Sequence, residues 1–315
     1  MNLTSKESFS GSQSDVKAIV ITRKTRFEEL VSQYNSEAQA KFVIESRGAD
    51  FEDYKQEYQA YSQAVTQVEA ALKSAARVQR LDREFLPNFI FGPKDIVVVV
   101  GQDGLVANTL KYLNGQSVIG INPDPKRFDG VLLPFKVKDI SLIFSDVINS
   151  SFQSKQISMA KALLNDGQVL LAVNDLFIGP RFQTSARYEI QLNGRCEAQI
   201  SSGIIISTGL GSTGWLTSVV AGASGIMGEH REIEPSFAWD SDQLKFAVRE
   251  PFPSQTTGTQ LIYGSVSSGT SMKVLSSMPG NGVIFSDGMV DDYLEFNSGV
   301  EATLTMSPMK GEIVV

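Results

Sequence analysis

One acid, Asp103, stands between two glycines in Gly101-Gln102-Asp103-Gly104-Leu105. Glycines on both sides let the backbone turn sharply and let a phosphate approach closely. An isolated carboxylate beside such a turn suits a general base or a metal-facing group. A second glycine turn, Gly209-Leu210-Gly211-Ser212-Thr213-Gly214, runs into Trp215, with Thr217 and Ser218 just beyond. Formally it satisfies G-x-G-x-x-G, the dinucleotide fingerprint. Hydroxyls at 212, 213, 217 and 218 around a helix amino terminus suit phosphate or ribose contacts. As plain structure, the same residues cap a tight strand-to-helix turn.

Each turn needs a strand to deliver it. Residues 96–100, Ile-Val-Val-Val-Val, read as a strand buried on both faces. Such a strand ends at the carboxyl edge of an open α/β sheet, where ligands bind. Residues 106–113 have helical spacing, so the Asp103 turn opens a helix amino terminus, where anions bind. The strand at 117–122 completes a βαβ unit, and Asn122-Pro123-Asp124-Pro125 forces a loop at the same edge. The second turn follows the apolar strand 203–208 and precedes a helix over 215–223. A dinucleotide Rossmann unit would require a second parallel strand ending in an acid about 20 residues on. Residues 227–241 are polar and irregular instead, and the next strand ends only at Glu250. Hydride transfer on a Rossmann unit is therefore a minor reading.

Upstream lie a strand at 16–22 and a helix-rich segment over 27–81, with 82–91 as a connector. Phe51, Tyr54, Tyr58 and Tyr61, then Val65, Val68 and Leu72, fall at helical spacing and predict an amphipathic helix packed on the sheet. Beyond 139 the pattern changes to short strands with hairpin turns at Asn165-Asp166-Gly167 and Asn193-Gly194. One apolar run over 169–177 reads as a strand, as do 244–248, 260–266 and 301–306. The expected organisation is a disordered lead-in over 1–15, an α/β domain over 16–138, and a β-rich domain over 139–315, its last segment able to return to the first domain.

The chain has 315 residues with a formal net charge of −7, which argues against an electrostatic nucleic-acid partner. No apolar run reaches the length of a membrane span, and residues 1–15 carry neither an apolar core nor the arginines of a transit peptide. These features predict a cytoplasmic protein with no membrane partner. Cys196 is the only cysteine and reads as a reduced hairpin residue; it excludes intrachain disulfides and zinc clusters. His230 is the only histidine, with no nucleophile elbow beside it, and reads as a solvated loop residue. No residue set points to a protein-bound metal. Neither a G-x-x-x-x-G-K-[ST] loop nor a protein-kinase H-R-D or D-F-G set occurs.

Three segments in order resemble the NAD kinase family, which transfers a phosphoryl group from ATP to the 2′-hydroxyl of NAD. Gly101-Gln102-Asp103-Gly104-Leu105 is similar to the family's Gly-Gly-Asp-Gly-Thr, and Val173-Asn174-Asp175-Leu176-Phe177 to its Asn-Glu or Asn-Asp pair. Residues 207–215, Ser-Thr-Gly-Leu-Gly-Ser-Thr-Gly-Trp, resemble its Ser-Thr-Pro-Thr-Gly-Ser-Thr-Ala-Tyr. The resemblance covers roughly 22–307. Gly120-Ile121-Asn122-Pro123-Asp124-Pro125, Ser201-Ser202-Gly203, Val248-Arg249-Glu250-Pro251 and Thr25-Arg26-Phe27-Glu28 look like the branch typified by the mitochondrial NAD kinase of animals. Bacterial cousins of that branch are expected.

The resemblance implies an NAD kinase/diacylglycerol kinase-like two-domain fold with the site between the domains. Asp103 would be the general base, with Gly101 and Gly104 beside it. Asn174 and Asp175 would hold the dinucleotide, the amide facing adenine and the carboxylate accepting from ribose hydroxyls. Thr213, Gly214, Trp215, Leu216, Thr217 and Ser218 would wall the adenosine, Trp215 stacking where the family has tyrosine. The implied nucleotide-binding set also includes Asn122, Ser202, Thr208, Gly211 and Ser212. NAD and ATP with Mg²⁺ are the implied ligands, and a homodimer or homotetramer the implied assembly.

Gln102 replaces the family's second glycine, and Leu105 and Leu210 replace hydroxyl-bearing threonines. Hydroxyl loss from a phosphate site removes about 3 kcal/mol of transition-state stabilisation. The leading expectation is an ATP-dependent NAD kinase with slow turnover. Its alternatives are an impaired homologue that binds NAD(P) as a sensor, and a kinase of another hydroxyl acceptor, lipid or sugar.

Overall fold

A computed structural model describes residues 16–228, 236–289 and 292–315. The expected lead-in over 1–15 and His230 lie outside the described residues. The chain forms two compact units, Met1–Ser154 with Ile313–Val315, and Lys155–Glu312.

In the first unit, runs of β-branched residues make parallel strands buried on both faces. Strand β1 is Lys17–Thr22. Three helices follow, α1 (Arg26–Tyr34), α2 (Glu37–Ser46) and α3 (Phe51–Leu72), then β2 (Arg77–Asp82). Next come β3 (Ile96–Val100), α4 (Asp103–Leu110), β4 (Ser117–Asn122), the short β5 (Phe135–Lys136) and α5 (Ile140–Ile148). The parallel order is β2-β1-β3-β4. Helix α3 buries Tyr61, Ala64, Val65, Val68 and Leu72, the spacing the sequence predicts, against Val98, Val100, Ile119 and Ile121. From β1 the chain crosses to β2 on one side and returns to β3 on the other. The carboxyl ends of β1 and β3 therefore flank a topological switch point, where open α/β sheets bind ligands.

Two expectations change here. Residues 77–82 form an edge strand and not the tail of a helix; Arg-Val-Gln-Arg-Leu-Asp buries only Leu81, so its pattern carries little apolar signal. The first unit also extends beyond the expected boundary at 138, because α5 buries Ile140 and Phe144 in this unit's core.

The second unit is built from two sheets. The first contains β6 (Ser154–Leu164), β7 (Val169–Ala172), β9 (Ala186–Leu192), β10 (Arg195–Ser201), β14 (Met272–Ser276) and β17 (Glu301–Val314). The second has six strands, with β8 (Asp175–Pro180) and β11 (Ile204–Ser207) at its middle. Around them run β12 (Gln243–Val248), β13 (Tyr263–Ser267), β15 (Gly282–Ser286) and β16 (Tyr293–Glu295). The inward faces of both sheets share one core, including Tyr188, Ile190, Ile206, Phe246 and Ile284. Helix α6 (Trp215–Met227) leaves the second glycine turn. The run expected as one strand over 169–177 breaks at Val173-Asn174, separating β7 from β8. That break places Asn174 and Asp175 at a strand start.

Candidate functional site

Asp103 opens α4 directly after the buried strand β3. Gln102 is the helix N-cap, and its side chain makes no capping bond. One Asp103 oxygen, Oδ1, accepts the Leu132 amide at 2.7 Å. Its carboxylate makes no other hydrogen bond among the described residues. The approach of the Leu132 segment depends on Gly120, since a side chain there would collide with the Leu132 carbonyl oxygen. Gly104 faces open space, whereas Gly101 lies against the buried Leu105 side chain. Leu105 is thus a packing residue. Asn122 is buried and spends its amide on the chain: Nδ2 donates to Phe128 O at 2.9 Å, and Oδ1 accepts Asp124 N at 3.1 Å. Leu132, the donor to Asp103, is not visible as a site residue in sequence, because its contribution is a main-chain amide.

In the second unit the other two segments meet. Thr208 donates its Oγ1 proton to Val173 O at 2.5 Å, while its amide donates to Asn174 O at 2.9 Å. Gly211 donates its amide to Thr208 Oγ1 at 3.2 Å. A side chain at Gly211 would strike the Asn174 carbonyl oxygen, so glycine is required there. From the far side Asp287 accepts the amides of Val173 (3.0 Å), Asn174 (2.6 Å) and Asp175 (3.3 Å). Asp287 takes φ of 54°, a conformation that aspartate tolerates better than most residues. Asp287-Gly288 has the form of a turn, and nothing local in the sequence shows that its carboxylate reaches back to residues 173–175. The clue available was an acid at a position needing positive φ.

The clasp frees the side chains of Asn174 and Asp175 for other work. The side-chain amide of Asn174 makes no hydrogen bond among the described residues. Asp175 has a buried Oδ1 without a partner. Burial pushes its pKa up to about 7, Ser207 opposing by hydrogen bond and Asp287 adding repulsion. Ser212 is fully buried, donating to Gly209 O at 2.7 Å and accepting Phe237 N at 3.2 Å. Thr217 Oγ1 donates to Ser212 O at 2.7 Å, and Ser218 Oγ to Gly214 O at 3.3 Å. Thr208, Gly211 and Ser212 therefore build the turn, and Leu216 is fully buried beneath it. Thr213 and Gly214 are exposed, and Trp215 is half-buried.

Trp215 stacks on Phe177 at 5.5 Å between ring centroids and on Phe285 at 6.5 Å, with the Arg249 guanidinium 5.5 Å from its ring centre. These four line an open depression of about 720 Å³ with Ser202 and the Arg181–Ser185 loop. The ring of Phe177 lies over Gly203, whose φ of 115° and missing side chain make room for it. Flat aromatic faces suit a planar ligand such as a nucleotide base; the Arg249 cation beside them pairs with Glu250 at 3.8 Å, which also lines the depression. Among the described residues no three His, Cys, Asp or Glu side chains are grouped to hold a metal ion.

No protein-family model matches the sequence, and no curated protein sequence does. Solved structures do match. An NAD kinase from Archaeoglobus fulgidus in complex with ATP is 17% identical, with a TM-score of 0.59 over 95% of this chain and 93% of that one. Yeast NADH kinase complexed with NADH is 13% identical, with a TM-score of 0.58 over 95% of this chain and 83% of that one. The chain has the NAD kinase fold, an α/β unit followed by a β-rich unit, as the resemblance implies.

Proposed function

We propose that this NAD kinase fold carries ATP-dependent NAD kinase chemistry. The observation that carries the reading is the placement of Asp103: a lone acid at a helix amino terminus, beside the switch point, with one oxygen tied down. A tied oxygen fixes the carboxylate plane, and the other oxygen is left to accept a proton. In this reading Asp103 takes the proton of the ribose 2′-hydroxyl as that oxygen bonds to the γ-phosphorus and ADP departs. The amino end of α4 favours the phosphate charge. Magnesium carried in by ATP keeps several waters beside its phosphate oxygens. With the free Asp103 oxygen kept for the proton, the ion would be held by phosphate oxygens and water and would offset phosphate charge.

Asn174 and Asp175 would meet adenine and ribose, and Trp215 and Phe177 would receive a ring. Exposed Thr213 and Gly214, with Ser202, line the approach. Thr208, Gly211, Ser212, Leu216 and Thr217 act by shaping the turn. The test is NADP formation from ATP, Mg²⁺ and NAD. Asp103→Asn should lower turnover by about 10²–10⁴-fold, with the melting temperature unchanged. Retained turnover would overturn the general-base assignment.

A second reading, NAD binding without turnover, is favoured by the phosphate side of the Asp103 turn. Gln102 is partly exposed at the N-cap, while Leu105 is buried and offers no hydroxyl. Binding of NAD with no NADP formed, and turnover recovered by Gln102→Gly with Leu105→Thr, would decide for it.

A further inference from the structure

The Leu132 amide that holds Asp103 belongs to a segment, 123–134, with no helix or strand of its own. Its far end is anchored by buried Leu132 and Leu133 and by β5 pairing with β4, while side chains hold the rest. Asn122 grips it from within, through Phe128 O and Asp124 N. From outside, Arg127 makes a two-pronged pair with Asp53 of α3, Nη1 to Oδ2 at 3.1 Å and Nη2 to Oδ1 at 2.8 Å. Such forks fix orientation as well as distance. Two turns further along α3, Tyr61 donates its hydroxyl to Val100 O at 3.0 Å, the last residue of β3. One helix therefore holds both the strand leading into Asp103 and the segment that bonds its carboxylate.

We propose that 123–134 is a strap that positions Asp103, and that Arg127 and Asp53 are positioning residues that pin it. The proposal rests on the reading of Asp103 as the general base. Neither residue is within the set assigned to nucleotide binding. Removing the pin lets the Leu132 amide drift, so Asp103 loses its fixed plane while the dinucleotide contacts remain. The effect belongs in kcat and not in KM.

The experiment compares Arg127→Leu, Asp53→Asn, the double variant and Arg127→Lys in the full chain. Misplaced catalytic groups slow reactions by up to about 100-fold, and a loosened carboxylate is expected to lower kcat about tenfold. The KM for NAD should stay within about twofold, since uniform binding is untouched. The double variant should be no worse than either single one, and Arg127→Lys should recover part of the loss. Hydrogen exchange at the Leu132 amide supplies a readout independent of turnover and should be faster in both single variants. Unchanged exchange, or faster exchange with kcat unaltered, overturns the strap. If wild type forms no NADP, or Asp103→Asn keeps turnover, the general-base reading falls; the strap is then judged on Leu132 exchange alone.

Discussion

Two turns built from similar residues are held in opposite ways. Asp103 itself is held by the Leu132 amide, but the groups that brace its surroundings on α3 and the strap include charged ones. Arg23 and Arg26 converge on the buried Glu57, and Arg26 and Arg127 converge on Asp53. Around Asn174-Asp175 they are amides and hydroxyls, with Asp287 the one carboxylate that binds three of the amides. The exposed members of the charged set are individually weak and salt-sensitive, the buried Glu57–Arg23 pair being the exception. A fully satisfied buried hydrogen-bond network is rigid by contrast. The forked ion pair behind the Asp103 strap fixes orientation but is open to screening by salt, so the placement of the proton acceptor should depend on ionic strength. A turn held by buried hydrogen bonds keeps one shape, which suits recognition.

The sharpest way to break the contrast is Glu57→Leu. Glu57 has a side chain only 3% exposed, and Arg23 beside it is 9% exposed. Burial alone would raise the Glu57 pKa, but hydrogen bonds from Arg23 and then Arg26 outweigh it and hold the carboxyl below its usual range. Removing the carboxylate leaves Arg23 buried with no counter-charge, a loss of about 3–5 kcal/mol. Denaturant melts of the first unit's transition should show it. A change under about 1 kcal/mol would mean the charged network is ornamental. Because the folded-state pKa is lowered, the stabilisation holds above the unfolded carboxylate range and disappears as pH falls through the folded value.

Asp175 predicts the opposite slope. Its carboxyl is raised to about 7, so between the ordinary value of 3.8 and about 7 the folded chain binds more protons than the unfolded one. Stability contributed by this group therefore falls with rising pH across that window, by up to about 1.4 kcal/mol per unit, and levels off above it. Asp175→Asn should flatten the profile of melting temperature against pH between 4 and 7. An unchanged slope would place the titration elsewhere and remove the buried unpartnered oxygen as its cause.

Much of this arrangement was readable from residue types. The run 96–100 had to be a buried parallel strand, and an acid between glycines at its end had to open a helix. Tyr61 at helical spacing had to pack inward, although its bond to Val100 O was not predictable. The edge strand β2 was hidden because an edge carries charge where an inner strand carries Val and Ile. Asn122 and Ser212, expected among the nucleotide-binding residues, also satisfy neighbouring backbone. A polar side chain near a turn can bond inward or outward, and only packing decides. Leu132 and Asp287 act across 29 and 112 or more residues, a separation no local pattern records.

A milder break in the second region is Thr208→Val. The hydroxyl is fully buried and joins Val173 O to Gly211 N. Valine keeps the shape but leaves both groups unpaired, so about 1–3 kcal/mol of stability should be lost. The KM for NAD should rise with it, as the turn carrying Asn174 loosens. If stability falls and KM does not, the clasp supports the fold without shaping the dinucleotide contact.

The smallest expected effect also tests the contrast most directly. Trp215 is half-buried, and its ring partners Phe177 and Phe285 pack on each other at 4.8 Å without it. Trp215→Leu therefore removes a stacking face but little of the core. Aromatic pairs add about 0.5–1.5 kcal/mol beyond burial, which translates to a KM for NAD raised by roughly two- to twelvefold. Turnover at saturating NAD should hold, because no proton passes through indole. A kcat loss comparable to that of Asp103→Asn would show that the aromatic face acts on the reacting atoms. The contrast between a catalytic turn pinned by charge and a recognition turn held by amides and hydroxyls would then have to be abandoned.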